Sequence, residues 1–228
     1  RGKVLGGSSS INGLLYVRGQ PQDFDHWRQL GNAGWSFNDV LPYFRRAENQ
    51  ERGADDFHGA DGPLAVSDMR VRREICDAVI KAAGELGIPE RDDFNRDDQE
   101  GAGYFQLTTR NGLRCSTAVG YLKPAKNRPN LDIRTHAQVR NLVLEDGRCT
   151  GVAFDVKGTP QAAACRGEVI LSAGAIGSPQ ILMLSGIGPA PHLTDMGLPV
   201  ALDMPGVGGN LQAHLQLRTI YRTHRTIT

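Results

Sequence analysis

The chain lacks the features that would place it in a membrane, on nucleic acid or in an oxidising compartment. None of its apolar runs approaches the ~20 residues that a membrane-spanning helix needs. A formal net charge of only +1 gives no electrostatic reason to expect nucleic acid as a partner. The four cysteines form no CxxC or zinc-type spacing, so we expect reduced thiols and no metal site. We therefore expect a cytoplasmic protein, with attachment to a membrane surface left open.

Two common phosphate-binding motifs are also missing from the chain. There is no GxGxxG run of the dinucleotide-binding type, and Gly206-Val207-Gly208-Gly209 does not complete one. There is no GxxxxGK[ST] run either, which excludes a P-loop within these residues. The sequence begins at Arg1, without a methionine and inside a motif. We interpret the chain as an internal piece of a longer polypeptide.

The opening run is the most informative feature that is present. Gly6 and Gly7 let the backbone come close to a bulky ligand, because no Cβ stands in the way. Hydroxyl and amide side chains that donate or accept hydrogen bonds follow directly, at Ser8, Ser9, Ser10 and Asn12. Such a segment suits contact with a large planar or phosphorylated molecule. A turn that joins two structural segments is the alternative interpretation.

Local patterns along the chain predict a mixture of helices and strands. Apolar residues at helical spacing predict a helix over about 71–86, and Asp146-Gly147 predicts a β-hairpin. The apolar run at 168–172 predicts a strand buried on both faces, followed by a helix that begins at Ser178 and Pro179. Further strands are predicted at 64–66, 104–108 and 131–135. The fold class indicated is α/β, with antiparallel additions.

Two long motifs carry a resemblance to a known family. The opening run resembles the first signature of the glucose-methanol-choline (GMC) family of flavoprotein oxidoreductases. The run from Gly174 to Gly188 is similar to that family's second signature along its full length. Shorter phrases at 57–64 and 205–212 are similar as well, so the resemblance covers essentially all 228 residues. The first signature is matched by Lys3, Leu5, Gly6, Gly7, Ser8, Ser9, Ile11, Asn12 and Tyr16.

The resemblance implies a Rossmann-like FAD-binding domain interleaved with an antiparallel-sheet substrate domain, both incomplete in this chain. Residues 1–64 and 113–208 would belong to the FAD-binding domain, and each of these segments contains one signature. Residues 65–112 would belong to the substrate domain, and residues 209–228 would begin the return to it. The missing GxGxxG strand–helix unit would lie upstream of Arg1.

The resemblance also implies which residues contact FAD. The expected contacts are Gly7, Ser8, Asn12, Gly13, Leu14, Leu15, Val139, Ala173 and Gly174. Leu15 would act mainly through its backbone. For Val139 the alternative is a core valine in a strand, and for Ala173 and Gly174 it is a plain tight turn. Ile11 stands where some members attach the flavin through a histidine, so we expect non-covalent FAD.

The function implied is FAD-dependent oxidation of the CH–OH group of a small alcohol, as in choline-dehydrogenase-like alcohol dehydrogenases. Hydride would pass to the flavin, and a quinone-type carrier or oxygen would reoxidise it. The family's catalytic histidine and its partner lie beyond residue 228, so none of the six histidines is assigned as catalytic and the isolated chain is expected to be inactive. A lyase with structural FAD on the same fold, or a non-catalytic truncated remnant, are the alternatives.

Overall fold

The computed structural model of the chain describes residues 1–222 and 224. They form two compact units, of which the first comprises Arg1–Leu131 and the described residues after Ile220. The second unit comprises Asp132–Ile220. The assignment of four alternating segments to FAD-binding and substrate domains stays a prediction.

The first unit combines short helices with two small pairs of strands. Its helical elements are a 3-10 helix at Gly7–Ser10, α1 at Pro21–Gln29, α2 at Phe37–Ala47, α3 at Glu74–Glu85, a π-helical turn at Ala118–Leu122 and α4 at Lys123–Ala125. Its strands are β1 at Glu48–Gln50, β2 at Leu64–Val66, β3 at Thr109–Arg110 and β4 at Leu113–Arg114. Strands β1 and β2 pair in parallel, whereas β3 and β4 form an antiparallel hairpin.

Helices α1 and α2 pack together through aromatic side chains. The Phe24 ring lies 5.4 Å from that of Trp27, 6.2 Å from that of Phe37 and 5.6 Å from that of Phe44, measured between centroids. Such pairs contribute roughly 0.5–1.5 kcal/mol beyond the area that they bury. Ser36 fixes the start of α2, because its hydroxyl accepts the Asp39 amide in a capping box. This cluster holds the end of α2 beside β1.

The second unit is built on an antiparallel meander. Strands β5 at Ala137–Glu145, β6 at Arg148–Val156 and β7 at Thr159–Ala164 lie in sequence order. Helix α5 at Gly174–Leu184 packs on β5, and the Ser185 hydroxyl accepts the Leu142 amide at 2.8 Å. The unit is completed by β8 at Ile187–Gly188, α6 at Ala190–Asp195 and β9 at Leu202–Asp203, with β8 and β9 paired in parallel.

The strongest local predictions are confirmed. The helix expected over about 71–86 runs from Glu74 to Glu85, and Gly87 follows with a φ of +83°. The predicted hairpin joins β5 to β6, and its two turn residues have φ values of +50° and +76°, as a type I′ turn requires. The chain is a mixed α/β fold, as expected.

Three strand predictions and one helix boundary are wrong. Residues 104–108, 131–135 and 168–172 form no strand, although Leu107 makes isolated bridges with Leu15 and Ser67. A strand needs a paired neighbour, and no strand in the described ranges lies beside 168–172, where Ile170 is 76% exposed. Helix α5 begins at Gly174, so Ser178 and Pro179 lie inside it rather than at its start. The Ser178 hydroxyl instead accepts the Ala173 amide at 3.0 Å.

The interior of the first unit is unusually polar. Among the described residues, its buried apolar side chains are Phe24, Phe37, Ala65, Val66 and Cys115. Its buried polar or charged side chains are more numerous: Arg18, Glu48, Gln50, His58, Ser67, Asp93, Asn95, Gln106 and Ser116. Buried charges are tolerated only when they are paired and hydrogen-bonded, so this interior must form a specific network.

Gly59 is packed so closely that any side chain there would collide with the backbone. A Cβ on Gly59 would overlap the carbonyl oxygen of Arg45, whereas a Cβ on Gly84 in α3 meets nothing within 4 Å. We expect Gly59→Ala to lower the free energy of unfolding by about 1–3 kcal/mol, the usual cost of overpacking. Gly84→Ala should raise it by about 0.5–1 kcal/mol, through helix propensity. Urea denaturation measures the free energy of unfolding of both variants. The same change in both would contradict the close packing at Gly59.

Candidate functional site

The first-signature loop, defined as residues 4–15, folds back on itself around the 3-10 helix. Gly6 adopts a left-handed conformation with φ +87° just before that helix. The Gly7 amide donates to the carbonyl of Val4 at 2.9 Å, and the Asn12 amide donates to that of Ser8 at 2.8 Å. A Cβ on Gly6 would lie 2.4 Å from the Ser10 hydroxyl, so this bend requires glycine.

Two residues from a later part of the chain hold this loop in place. The Arg114 guanidinium donates to the Asn12 side-chain oxygen at 2.7 Å, to the Asn12 carbonyl at 2.9 Å and to the Ser9 carbonyl at 3.0 Å. The Ser9 hydroxyl accepts the Thr117 amide at 3.0 Å. The loop is therefore tied to strand β4 and to the π-helical turn, 102 to 108 residues away in sequence.

One face of the loop stays open. A Cβ on Gly7 or on Gly13 would meet nothing within 4 Å, and Ser8, Asn12 and Gly13 are exposed. Within the described part of the chain, the amides of Gly13 and Leu15 donate to no acceptor. Among residues 1–222 and 224, the Ser8 hydroxyl accepts only one hydrogen bond, a long one of 3.4 Å from the Gly2 amide. Several donors thus surround an open, Cβ-free face, which fits a large ligand rich in acceptors, such as FAD.

The last residues of the loop, Asn12–Leu15, are held by hydrogen bonds from two sides. Leu14 has a left-handed φ of +69°, and its amide donates to the Asn12 side-chain oxygen at 3.1 Å. Its carbonyl accepts the Thr108 amide at 2.8 Å. The Tyr16 amide donates to the carbonyl of Gln106 at 2.9 Å. A non-glycine residue in this conformation persists only where its surroundings hold it, so these contacts set the geometry of Asn12–Leu15.

Arg18, which follows this segment in the chain, belongs to a buried cluster of charged side chains, which we call the ion cluster: Arg18, Glu48, His58 and Asp93. Arg18 donates to a Glu48 carboxylate oxygen at 2.5 Å, and their side chains are 2% and 0% exposed. His58 Nδ1 lies 3.0 Å from the same oxygen, and Nε2 lies 2.8 Å from Asp93 Oδ2. The imidazole therefore bridges two carboxylates.

This geometry shifts the pKa values of His58 and Asp93 in opposite directions. Burial by itself would lower the pKa of His58, but the hydrogen bonds with Asp93 and Glu48 and the charges of both carboxylates outweigh it and raise that pKa to about 9. Burial would likewise raise the pKa of Asp93, but its hydrogen bonds with His58 and with the Asn95 amide lower it to about 2. At neutral pH the cluster holds two positive and two negative groups.

The second unit contains the other three expected contact residues. Val139 lies half-buried in β5, opposite Phe154 and next to a bulge at Arg140. Ala173 precedes α5, and Gly174 begins it with φ +87°; both are exposed. The first-turn amides of a helix of this length provide donors for an anionic ligand, and the dipole adds partial positive charge.

The structure thus brings together the six expected contact residues of the first unit and, separately, places the other three in the second unit. Sequence motifs alone do not identify the residues that support the loop: Arg114, Thr117, Arg18, Glu48 and Asp93. Arg114 stands in a short polar run that carries no recognisable spacing, and Asp93 lies in a charged stretch that predicts an exposed loop. His58 was the one member of the ion cluster within a family-like phrase.

Two further findings concern metals and membranes. In residues 1–222 and 224, no group of at least three His, Cys, Asp or Glu side chains could hold a metal ion. Over the same residues, every helix is too short or too polar to cross a bilayer.

The GMC oxidoreductase family matches residues 1–216 of the chain. An oxygen-dependent choline dehydrogenase from Sinorhizobium fredii is 50% identical over 217 residues, which cover 95% of this chain and 39% of that protein. The chain therefore spans about two fifths of the length of such relatives.

Solved structures are likewise similar to nearly all of this chain and to about two fifths of their own length. The chain superposes on pyridoxine 4-oxidase from Mesorbium loti with a TM-score of 0.84 and 33% identity, covering 90% of this chain and 41% of the other. An FAD-dependent oxidoreductase from Chaetomium thermophilum gives the same TM-score with 30% identity, covering 89% and 38%. Both likenesses extend over nearly all of the chain.

Proposed function

The chain belongs to the GMC oxidoreductase family, and from this premise we propose that it forms part of an FAD-dependent oxidoreductase that oxidises the CH–OH group of a small alcohol. The relative from Sinorhizobium fredii is named a choline dehydrogenase, so a choline-like alcohol is the first substrate to test. The isolated 228 residues are proposed to be inactive, because no catalytic base is assigned among them.

The observation that carries the proposal is the open face of the first-signature loop. Gly7 and Gly13 leave that face free of Cβ atoms, while Ser8, Asn12 and the amides of Gly13 and Leu15 supply donors. When bound, FAD would supply the hydride acceptor for alcohol oxidation. The protein's part is to bind and orient it: Arg114 and Thr117 hold the loop, and the loop presents its donors from a fixed backbone.

The residues of the second unit are proposed to contact the same cofactor. Gly174 and the following amides at the start of α5 suit a phosphate oxygen, because they carry the positive end of the helix dipole. Val139 would contribute its backbone beside the bulge in β5.

We propose that the flavin is held without a covalent bond. Ile11 has an aliphatic side chain that is 56% exposed, and it offers no nucleophile to a flavin ring. Acid precipitation of the holoprotein should therefore release all of the yellow colour into the supernatant. Flavin retained in the pellet would contradict this.

The remaining parts of the proposal concern partners and location. The reduced cofactor would be reoxidised by a quinone-type carrier or by oxygen. The cysteines are free thiols, with Cys115 buried, which suits a reducing compartment. We propose a cytoplasmic location, either free or at a membrane surface.

Anaerobic flavin reduction tests the proposed function. The polypeptide encoded by the complete reading frame around these residues is purified, loaded with FAD and mixed with choline or a simple primary alcohol under argon. Bleaching of the flavin absorbance is the expected result. Bound flavin that no alcohol bleaches would favour a lyase with structural FAD, and a polypeptide that binds no flavin would indicate a non-catalytic remnant.

Two neighbouring serines separate ligand contact from loop structure. Ser8→Ala is expected to weaken FAD binding roughly 3- to 10-fold with little change in thermal stability, because its hydroxyl has only a long internal contact. Ser9→Ala should instead lower thermal stability, since the Ser9 hydroxyl joins the loop to Thr117. Fluorescence titration with FAD and thermal unfolding measure the two effects. Unchanged FAD affinity in Ser8→Ala would remove Ser8 from the site.

A further inference from the structure

The ion cluster is connected by hydrogen bonds to the backbone that follows the flavin-facing residues. The Arg18 amide donates to the Asn95 side-chain oxygen at 2.7 Å, and the Asn95 side-chain nitrogen donates to the Tyr16 carbonyl at 3.0 Å. The Asn95 amide in turn donates to Asp93 Oδ1 at 2.8 Å. The other Asp93 oxygen bonds His58. A continuous path therefore leads from His58 to the backbone of Tyr16 and Arg18.

A second path reaches the same segment through Glu48. His58 Nδ1 contacts the Glu48 carboxylate, which accepts the Arg18 guanidinium. Arg18 also donates to the Phe57 carbonyl at 2.8 Å, next to His58 in the chain. The segment is thus fixed at its backbone by Asn95 and at its side chain by Glu48. His58 is the residue that joins the two carboxylates on which both paths depend.

Charge balance explains why an imidazolium suits this position. With His58 protonated, the buried ring donates from both nitrogens and the ion cluster is neutral. Without that proton, one carboxylate loses its hydrogen bond from His58, and the four residues of the ion cluster carry a net negative charge. Other charged or titratable groups facing this region from the adjoining elements are Tyr16, Arg45, Arg46, Asp55, Asp61 and Arg96.

We propose that His58 is a positioning residue: by holding Glu48 and Asp93 against Arg18 and Asn95, it fixes the backbone of Tyr16 and Arg18 and, through it, the adjoining segment Asn12–Leu15 that is proposed to contact the flavin. This rests on the proposed function for its link to flavin. In the described part of the chain His58 forms no hydrogen bond with the first-signature loop, so it acts through other residues. A buried pair of carboxylates thereby influences how well the open face of the loop binds its ligand.

The test compares His58→Gln with the double variant His58→Gln/Asp93→Asn. The single variant removes the buried cation that joins the two carboxylates and leaves Asp93 with its ion pair to Arg96, whereas the double variant also removes the Asp93 charge and keeps the Arg18–Glu48 pair. His26→Gln is the matched control, because His26 is exposed on α1. Native-state hydrogen exchange is followed at the Tyr16 and Arg18 amides, and at the Val79 amide within α3 as an internal reference.

In His58→Gln we expect exchange at Tyr16 and Arg18 to quicken about tenfold relative to Val79. FAD should bind the complete polypeptide about tenfold more weakly. The double variant should recover most of both effects, and His26→Gln should show neither. Equal acceleration at all three amides would show a merely structural role and overturn the proposal. Faster exchange at Tyr16 and Arg18 with unchanged FAD affinity would also overturn the proposal. The same holds if the double variant exchanges as fast, and binds FAD as weakly, as the single variant.

These outcomes separate the inference from the proposed function. If the unaltered polypeptide binds no FAD, the proposed function fails, and the exchange ratios still decide whether His58 fixes this segment. If FAD binds and alcohol bleaches it while the ratios stay unchanged in His58→Gln, the function stands and the positioning role is overturned.

Discussion

Glu48→Gln is expected to lower the free energy of unfolding of the first unit by about 3–5 kcal/mol, the usual cost of breaking a buried ion pair on one side. The Glu48 carboxylate is fully buried and bonds both Arg18 and His58. An amide keeps the size of the side chain but removes the negative charge. Two buried cations would then face each other with only Asp93 to compensate them.

Urea denaturation of the variant measures this loss, with Glu85→Gln as the control. Glu85 is exposed at the end of α3, where the same change should alter stability by less than about 0.5 kcal/mol. If Glu48→Gln fails to fold, the pair Arg18→Met/Glu48→Leu remains informative. Removing both charges leaves His58 facing Asp93 in a neutral cluster, so this pair should approach the stability of the unaltered chain. Near-equal free energies of unfolding of the unaltered chain and Glu48→Gln would contradict the buried ion pairs of Glu48.

Local sequence signals predicted those parts of the fold that depend on neighbours in the chain. The spacing of apolar residues, together with Gly87, predicts α3, and Asp146-Gly147 predicts the β5–β6 hairpin. The run at 168–172 shows where such signals fail. Its composition favours a strand, but a strand forms only beside a partner, and the described residues bring none to it.

The supports of the candidate site depend on contacts that are distant in sequence. Arg18 bonds Glu48 across 30 residues and Asn95 across 77, and Arg114 reaches Asn12 across 102. Charged residues in polar stretches predict exposed loops, so nothing local marks Asp93 as buried. The loop itself was predictable, because its glycines and hydroxyls are contiguous. The FAD contacts assigned to it stay predictions, as do those of Val139, Ala173 and Gly174.

The stability of the first unit should fall on the alkaline side because of His58. Its pKa is raised from 6.5 to about 9 in the folded protein, so the folded state holds the proton more tightly than the unfolded chain. The stabilisation from this proton is complete below about pH 6.5 and is lost as the pH rises through about 9. It amounts to at most about 3 kcal/mol.

Asp93 gives the opposite dependence in acid. Its pKa is lowered from 3.8 to about 2, so its contribution is present above pH 3.8 and is lost as the pH falls through about 2. The two residues share one hydrogen bond, and the plateau between their titrations is the range in which the cluster is neutral. Maximum stability is therefore expected between about pH 4 and pH 6.5 as far as this cluster is concerned.

Free energies of unfolding measured in urea from pH 6 to pH 10 test the expected loss of stability at alkaline pH. Other groups titrate there too, so the comparison is with His58→Gln/Asp93→Asn, which keeps every other charged residue and removes this pair. The unaltered chain should lose up to about 3 kcal/mol more than the double variant over that range. Parallel curves would mean that His58 is neutral in the folded state. One carboxylate of the cluster would then lack its hydrogen bond from His58, and the charge balance on which the positioning role depends would be wrong.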